Sequence, residues 1–227
     1  MFPVQHDLRT RSVLITEEAY RLLRGLILTG EMPPGRRLLE GQIAQELNIS
    51  RTPLREAVRK LEQEGFVQRL VKGGVVVTLL SAVEVKELYS VRAFLEELAV
   101  REATRAVDSK GLAKIQEIVK STREWRFSPT VDRVLEHGWE FHTEVCRASG
   151  NGYLLKLLQE TWDRIERYRR LTKNSRLSLA VDEHEAIAVL MAQGDAMSAG
   201  RAAQRHVENE AEFVLNELRN VDGLGER

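Results

Sequence analysis

Apolar residues recur at spacings of three and four along most of the chain, and Gly, Pro or Asn interrupts them at lengths that suit helices. Met1 to Val13 is polar and reads as a loose arm. Thr16, Glu17 and Glu18 then open a helix, with Ala19, Leu22, Leu23, Leu26 and Ile27 as its apolar face. Gly30 stops it, and Pro33-Pro34-Gly35 makes a rigid turn before Arg36-Arg37-Leu38-Leu39. A short helix follows over Glu40–Leu47, with Ile43, Ala44 and Leu47 inward. Asn48 ends it well because asparagine tolerates the left-handed conformation. Ile49 is an apolar plug and Ser50 an N-cap. Leu54, Ala57, Val58 and Leu61 then form the buried stripe of a second helix, with Pro53 in its first turn.

This second helix carries Arg51, Thr52, Arg55 and Arg59 off its apolar stripe, mostly near its start. Two short helices with a tight turn, the second presenting arginines at its N-terminal end, meet the requirement of a helix-turn-helix DNA reader. Gly65 ends that helix. Arg69-Leu70-Val71 and Val75-Val76-Val77-Thr78 flank Lys72-Gly73-Gly74, a hairpin with a basic tip suited to phosphate or minor-groove contact.

Ser81-Ala82-Val83-Glu84 reads as a linker that starts a helix, and beyond it the pattern is helical throughout. Helices are predicted over Val83–Val107, with Leu88, Val91, Leu95 and Leu98 inward, and over Lys110–Trp125, through Leu112, Ile115, Ile118 and Val119. Three more run over Val131–Ala148, Tyr153–Thr172 and Leu179–Ala192, and the last over Ala196–Arg219. The breaks fall at Phe127–Thr130, Ser149–Gly152, Asn174-Ser175 and Gln193–Asp195, and Asp222–Arg227 is a polar tail. The fold class is therefore mainly α. A winged helix-turn-helix over residues 1–80 carries a small β-hairpin wing, and an all-helical bundle fills residues 81–227.

The formal net charge is zero, but it is unevenly spread: residues 1–80 carry net +3 and residues 81–227 net −3. The basic half is the half with the helix-turn-helix, although so small an excess makes local arginine placement decisive. No apolar run reaches the roughly 18 residues of a membrane span, and the N-terminus lacks the apolar stretch of a signal peptide. A single Cys146 cannot form an internal disulfide, which fits a reducing cytoplasm.

Pro33-Pro34-Gly35, Leu39, Ile43-Ala44, Leu47, Ser50-Arg51-Thr52-Pro53-Leu54-Arg55-Glu56-Ala57, Leu61, Glu64-Gly65 and Gly74 resemble the DNA-binding domain of GntR-family bacterial transcription regulators. The helical half is similar to the FCD effector domain of the FadR-like subgroup. The matching residues are Arg92 and Glu96, Phe141-His142, Ser149-Gly150-Asn151, Glu183-His184 with Ile187, Gly194-Asp195 and His206. The resemblance implies DNA contacts from Arg51, Thr52, Arg55, Gly73 and Gly74, and the residue pattern adds Arg59 on the same helix and Lys72 at the basic hairpin tip. It also implies a homodimer on double-stranded operator DNA. Gly41 departs from it, standing where many relatives carry a longer polar side chain.

His142, His184 and His206 lie on three different predicted helices. By spacing alone, three unrelated histidines is the simpler reading, since no two are four apart. The resemblance implies a divalent metal site built from these three plus an acid one turn before His142. Position 138 lies about 40° from His142 around the helix and faces the same way, but it holds glycine. His137 lies about 140° around and is poorly aimed. Three neutral imidazoles suit zinc or nickel better than magnesium and leave the ion's charge for an anionic, carboxylate-type effector. Arg92 either clamps that carboxylate or pairs with Glu96 one turn on. Asn151 either contacts the effector or caps a helix. The basic run Arg167-Tyr168-Arg169-Arg170 reads as a solvated face or an inter-domain contact.

The function expected is a non-enzymatic, ligand-responsive DNA-binding regulator, a repressor. One rival is a DNA-binding dimer without effector. Another is a DNA-tethered metal-dependent hydrolase, against which stands the lack of a positioned base or nucleophile.

Overall fold

The computed structural model describes residues 4–123, 130–171 and 177–219. These divide into two compact units, one ending at Leu80 and the other beginning at Ser81. The proposed helix end at Trp125, the breaks at Phe127–Pro129 and Asn174-Ser175, and the polar tail lie outside the described residues.

In the first unit α1 spans Val4–Leu28. The loose arm expected over residues 1–13 is therefore helical from Val4 onward, and Thr16 sits inside the helix instead of capping it. No proline or glycine lies between Pro3 and Gly25, and a threonine in mid-helix costs only about 0.7 kcal/mol relative to alanine. Leu23 and Ile27 are buried as expected, while Leu22 is exposed. Helices α2 (Glu40–Glu46) and α3 (Arg51–Gln63) follow. Asn48 has φ 51°, the left-handed turn foreseen for it. Ser50 is the α3 N-cap residue, but its side chain makes no capping hydrogen bond.

The wing is a three-stranded antiparallel sheet in the order β1-β3-β2. Strands β2 (Val67–Arg69) and β3 (Val75–Val77) pair through Gln68 and Val76, and Leu70-Val71 belong to the turn instead of the strand. The third strand, β1 (Arg37–Leu38), was not apparent in the sequence. It has only two residues, and its partner β3 is distant in the chain. Gly73 and Gly74 have φ 85° and 95°, which only glycine adopts in succession without strain. Leu23, Ile27, Leu54, Val58, Leu61, Phe66 and Val77 close the core beneath this sheet.

The second unit has six described helices: α4 (Ala82–Ala106), α5 (Ser109–Arg123), α6 (Val131–Ala148), α7 (Gly152–Leu171), α8 (Leu177–Ala192) and α9 (Ala196–Leu218). Ser81 Oγ caps α4 by accepting from Glu84 N, and Asp195 caps α9 through Ser198 N. Helix α4 packs against α6, α7, α8 and α9, most extensively against α9. Gly200 permits that approach: a Cβ there would fall 2.5 Å from Arg101 Cγ and 3.1 Å from Glu97 O.

The buried stripe of α4 differs in part from the expected one: Leu95 and Leu98 pack against the core, but they lie at the edge of the buried face. Val85, Tyr89, Arg92, Ala93, Glu96, Ala99, Val100 and Ala103 face inward, whereas Val91 and Phe94 are exposed. An arginine and a glutamate occupy the centre of the buried face, so apolar periodicity pointed to the neighbouring face. Among the described residues, no helix is long and apolar enough to cross a membrane.

Candidate metal centre and nucleic-acid interface

On the first unit, α3 buries Leu54, Ala57, Val58 and Leu61 and leaves Arg51, Thr52, Arg55 and Arg59 exposed on its outer side. Arg55 Nε donates to Glu40 Oε2 at 3.1 Å, and Arg59 Nη1 to Glu56 Oε1 at 2.7 Å. The Arg51 guanidinium lies over Gly41, where a Cβ would stand 3.5 Å from Nη2. A longer side chain at position 41 would have to share this space with Arg51. Lys72, Gly73 and Gly74 are exposed at the wing tip.

In the second unit the three histidines converge. His142 comes from α6, His184 from α8 and His206 from α9. All three are buried, and each offers a ring nitrogen within 4.8 Å of the others. His184 Nε2 and His206 Nε2 are 3.2 Å apart. Ligand nitrogens about 2.0–2.1 Å from a shared ion stand roughly 2.8–3.0 Å apart in octahedral and roughly 3.3–3.4 Å apart in tetrahedral geometry, so this pair already has a spacing close to that of ligands on one ion.

Carboxylates orient the rings from behind. His142 Nδ1 lies 2.9 Å from Glu96 Oε2, and His206 Nδ1 lies 2.7 Å from Glu183 Oε2. A carboxylate only accepts, so each Nδ1 carries its proton and each Nε2 presents a lone pair. His184 stacks on Phe141 with ring centroids 4.3 Å apart. Burial, reinforced by the neighbouring imidazoles, pushes His184 well below the usual histidine range. Burial also lowers His142, although Glu96 opposes it. Three buried imidazoles whose ring nitrogens converge within 4.8 Å of one another suit a borderline-soft divalent cation, so the residues present fit a metal.

Arg92 is fully buried beside this cluster. Its Nε donates to Glu96 Oε1 at 2.6 Å and its Nη1 to Glu210 Oε2 at 2.5 Å, and Nη2 stands 3.3 Å from His142 Nε2. Arg169 Nε holds the other oxygen of Glu210 at 2.6 Å. Trp162 Nε1 donates to Glu96 at 3.2 Å. Burial alone would raise the Glu96 carboxyl, but Arg92 and then His142 hold it well below the carboxylate range. Arg169 and Arg92 likewise bring Glu210 down to about 2 against its burial.

Gly138 faces the cluster, its virtual Cβ 3.8 Å from His184 Cε1. His137 is drawn to Glu140, 3.5 Å away. Asn151 caps α7: its Oδ1 accepts from Leu154 N at 3.1 Å and its Nδ2 donates to Glu102 at 3.1 Å. Among the described residues, no hydrogen bond of Asn151 reaches the histidines. The His6 side chain lies outside the described set.

The basic run of α7 is neither a solvated face nor a row of free charges. Arg167 and Tyr168 are buried, Arg169 joins the cluster, and Arg170 pairs with Asp132 and Glu166. Its acid partners come mainly from other helices, which a local reading of charge cannot see. Glu210 and Arg169 were missed as site residues for the same reason. Glu210 did carry a signal, since it follows His206 by four residues and shares its face of α9.

Residues 15–77 match the family model of bacterial regulatory proteins, gntR family, and residues 87–209 match the FCD domain. The Nta operon transcriptional regulator of Aminobacter aminovorans is 30% identical over 188 residues, covering 83% of this chain and 89% of its own. The gluconate operon transcriptional repressor of Bacillus licheniformis is 30% identical over 168 residues, covering 73% and 68%. Escherichia coli McbR/YncC has a similar solved fold, with a TM-score of 0.72 at 17% identity over 90% of this chain and 98% of that one. The chain belongs to the gntR family of bacterial regulatory proteins, as a DNA-binding transcription regulator that carries a winged helix-turn-helix and a helical FCD domain.

Proposed function

We propose that this regulator is a cytoplasmic repressor that binds operator DNA as a homodimer, and that a small carboxylate effector acts through a metal ion in its helical domain. The observation that carries the reading is the buried meeting of His142, His184 and His206 next to Arg92. A divalent ion there, zinc or nickel by the all-nitrogen donor set, would be held by one ring nitrogen from each of the three histidines. It would supply a positive centre for an anionic ligand. Two of the Arg92 nitrogens are engaged by carboxylates, and its Nη2 points at the same place, suited to donate to that ligand's oxygen. Asn151 is assigned to capping α7.

The relative that represses a gluconate operon supports a repressor and a carboxylate effector. Exposed Val91 and Phe94 on α4 support a partner surface, since two large apolar side chains on one helix face of a single chain are what a homodimer would cover. In the dimer each α3 would enter a major groove with Arg51, Thr52, Arg55 and Arg59. The wing tip at Lys72, Gly73 and Gly74 would meet the adjacent backbone. The domains are proposed as 1–80 for DNA and 81–227 for effector and dimerisation. Effector binding would change how the two heads fit their half-sites, a coupling between two distinct sites.

The test compares Arg55→Ala with the wild type on a genomic fragment recovered with the protein, while zinc and organic acids are titrated against thermal melting. The variant should lose DNA affinity and keep the ligand shifts. Undiminished DNA binding would sink the assignment of α3, and melting unmoved by every metal and acid would favour a dimer without effector.

A further inference from the structure

We infer that Glu183 is the positioning residue that prepares His206 to ligate a metal, acting from the same turn of α8 that supplies His184. The inference rests on the metal reading above. Glu183 Oε2 stands 2.7 Å from His206 Nδ1, and its Oε1 accepts from Asn209 Nδ2 at 2.9 Å. The carboxylate is thus oriented at both oxygens, and the imidazole it faces is buried. Because an ionised carboxylate can only accept, His206 carries its proton on Nδ1 and turns the Nε2 lone pair toward His184 Nε2, 3.2 Å away.

Without Glu183 the other neutral tautomer becomes available, with a proton on Nε2 where the ion would sit. The carboxylate also fixes the orientation of the ring through Nδ1. Gly138 removes the directly ligating acid, and Glu183 places negative charge on the cluster from one shell further out.

The location makes the claim testable without damaging the core. The Glu183 side chain is 23% exposed, whereas Glu96, which backs His142, is itself bound by Arg92 and Trp162 in the interior. A substitution at Glu183 therefore acts on His206 and Asn209 and leaves the pairs of Arg92 with Glu96 and Glu210 in place.

The experiment uses the full chain stripped of metal. Zinc is titrated by calorimetry into the wild type, Glu183→Gln and Asn209→Ala, and the metal-free forms are melted in parallel. Glu183→Gln should weaken zinc binding about 10–100-fold, the usual effect of losing such a partner, while the metal-free melting temperature stays put. Asn209→Ala should shift affinity in the same direction by less. Nitrogen-15 correlation spectra of the metal-free wild type should show His206 protonated at Nδ1, a readout that does not depend on the variant folding. An Nε2-protonated His206, or Glu183→Gln binding zinc within about threefold of the wild type, overturns the inference. A wild type that binds neither zinc nor nickel overturns the metal reading itself, and that result is visible in the wild-type arm alone.

Discussion

A Cβ on Gly138 would lie 3.8 Å from Cε1 of His184, an ordinary contact distance. The position one turn before His142 therefore opens onto the histidine cluster and has room for a side chain. Gly138→Asp should add a ligand and raise zinc affinity by at least about tenfold, since a charged donor joins three neutral ones. In the metal-free state the new carboxylate is desolvated in a buried place, so the melting temperature should fall before zinc is added and recover after it. Melting curves with and without zinc read both effects. An unchanged zinc affinity would show that position 138 does not address the ion.

Arg92 joins Glu96 and Glu210 inside the bundle, and both carboxylates depend on it for their low pKa values. Arg92→Met keeps much of the volume and leaves two buried acids without that partner. Breaking a buried pair by removing one member costs about 3–5 kcal/mol. The unfolding transition of the helical domain in urea should move to lower denaturant by that amount, while α3 retains its DNA contacts. A loss under about 1 kcal/mol would mean that water or Arg169 takes over the role of Arg92.

Acid should destabilise the metal-free protein in two stages. His142 and His184 lie below 6.5 in the folded state, chiefly through burial, so the unfolded chain binds more protons as the pH falls through 6.5. Stability falls with it, by at most about 1.4 kcal/mol per pH unit for each histidine. Glu210, brought from 4.5 to about 2, contributes stability above pH 4.5 that is lost on the way down toward pH 2, and Glu96 acts in the same sense. Zinc binding requires neutral imidazoles, so its stabilising shift should also shrink below about pH 6. Urea midpoints measured from pH 8 to about pH 2 check the sign of both stages, and a rise in stability on acidification would refute it.

Much of this could be read from the chain because helix ends announce themselves. Gly30, Asn48, Gly65, Gly150 and Gly194 all adopt positive φ and all stand where the apolar period breaks. The convergence of His142, His184 and His206 was not legible from spacing, since the three helices meet only through tertiary packing. Motif resemblance singled out these residues before the geometry did. The polar network around them was harder still. Arg92 and Glu96 interrupt the apolar period of α4 at its buried centre, and Arg169 finds Glu210 on another helix. Charge placed inside a bundle inverts the rule by which buried faces are recognised. Strand β1 escaped for a different reason: two residues show no alternation, and pairing with β3 alone makes them a strand.

Glu40, at the first residue of α2, holds Arg55 on α3 at 3.1 Å, and the arginine side chain is 59% exposed. A surface pair of this kind contributes about 0–1 kcal/mol, so losing it leaves the fold intact. Its consequence falls on DNA instead. If Arg55 turns its guanidinium to a phosphate or a base edge it leaves Glu40, whose carboxylate would then stand uncompensated near the DNA. Glu40→Gln should free the arginine, remove that repulsion and tighten DNA binding up to about tenfold, the factor that 1.4 kcal/mol confers. The gain should be similar on operator and unrelated duplex if Arg55 meets phosphate, and larger on operator if it reads a base. Where the contact is to phosphate, the slope of log affinity against log salt should steepen by roughly one. Fluorescence anisotropy at several salt concentrations measures all three quantities. Unchanged affinity in Glu40→Gln, together with unchanged affinity in Arg55→Ala, would move the contact from Arg55 to Arg51.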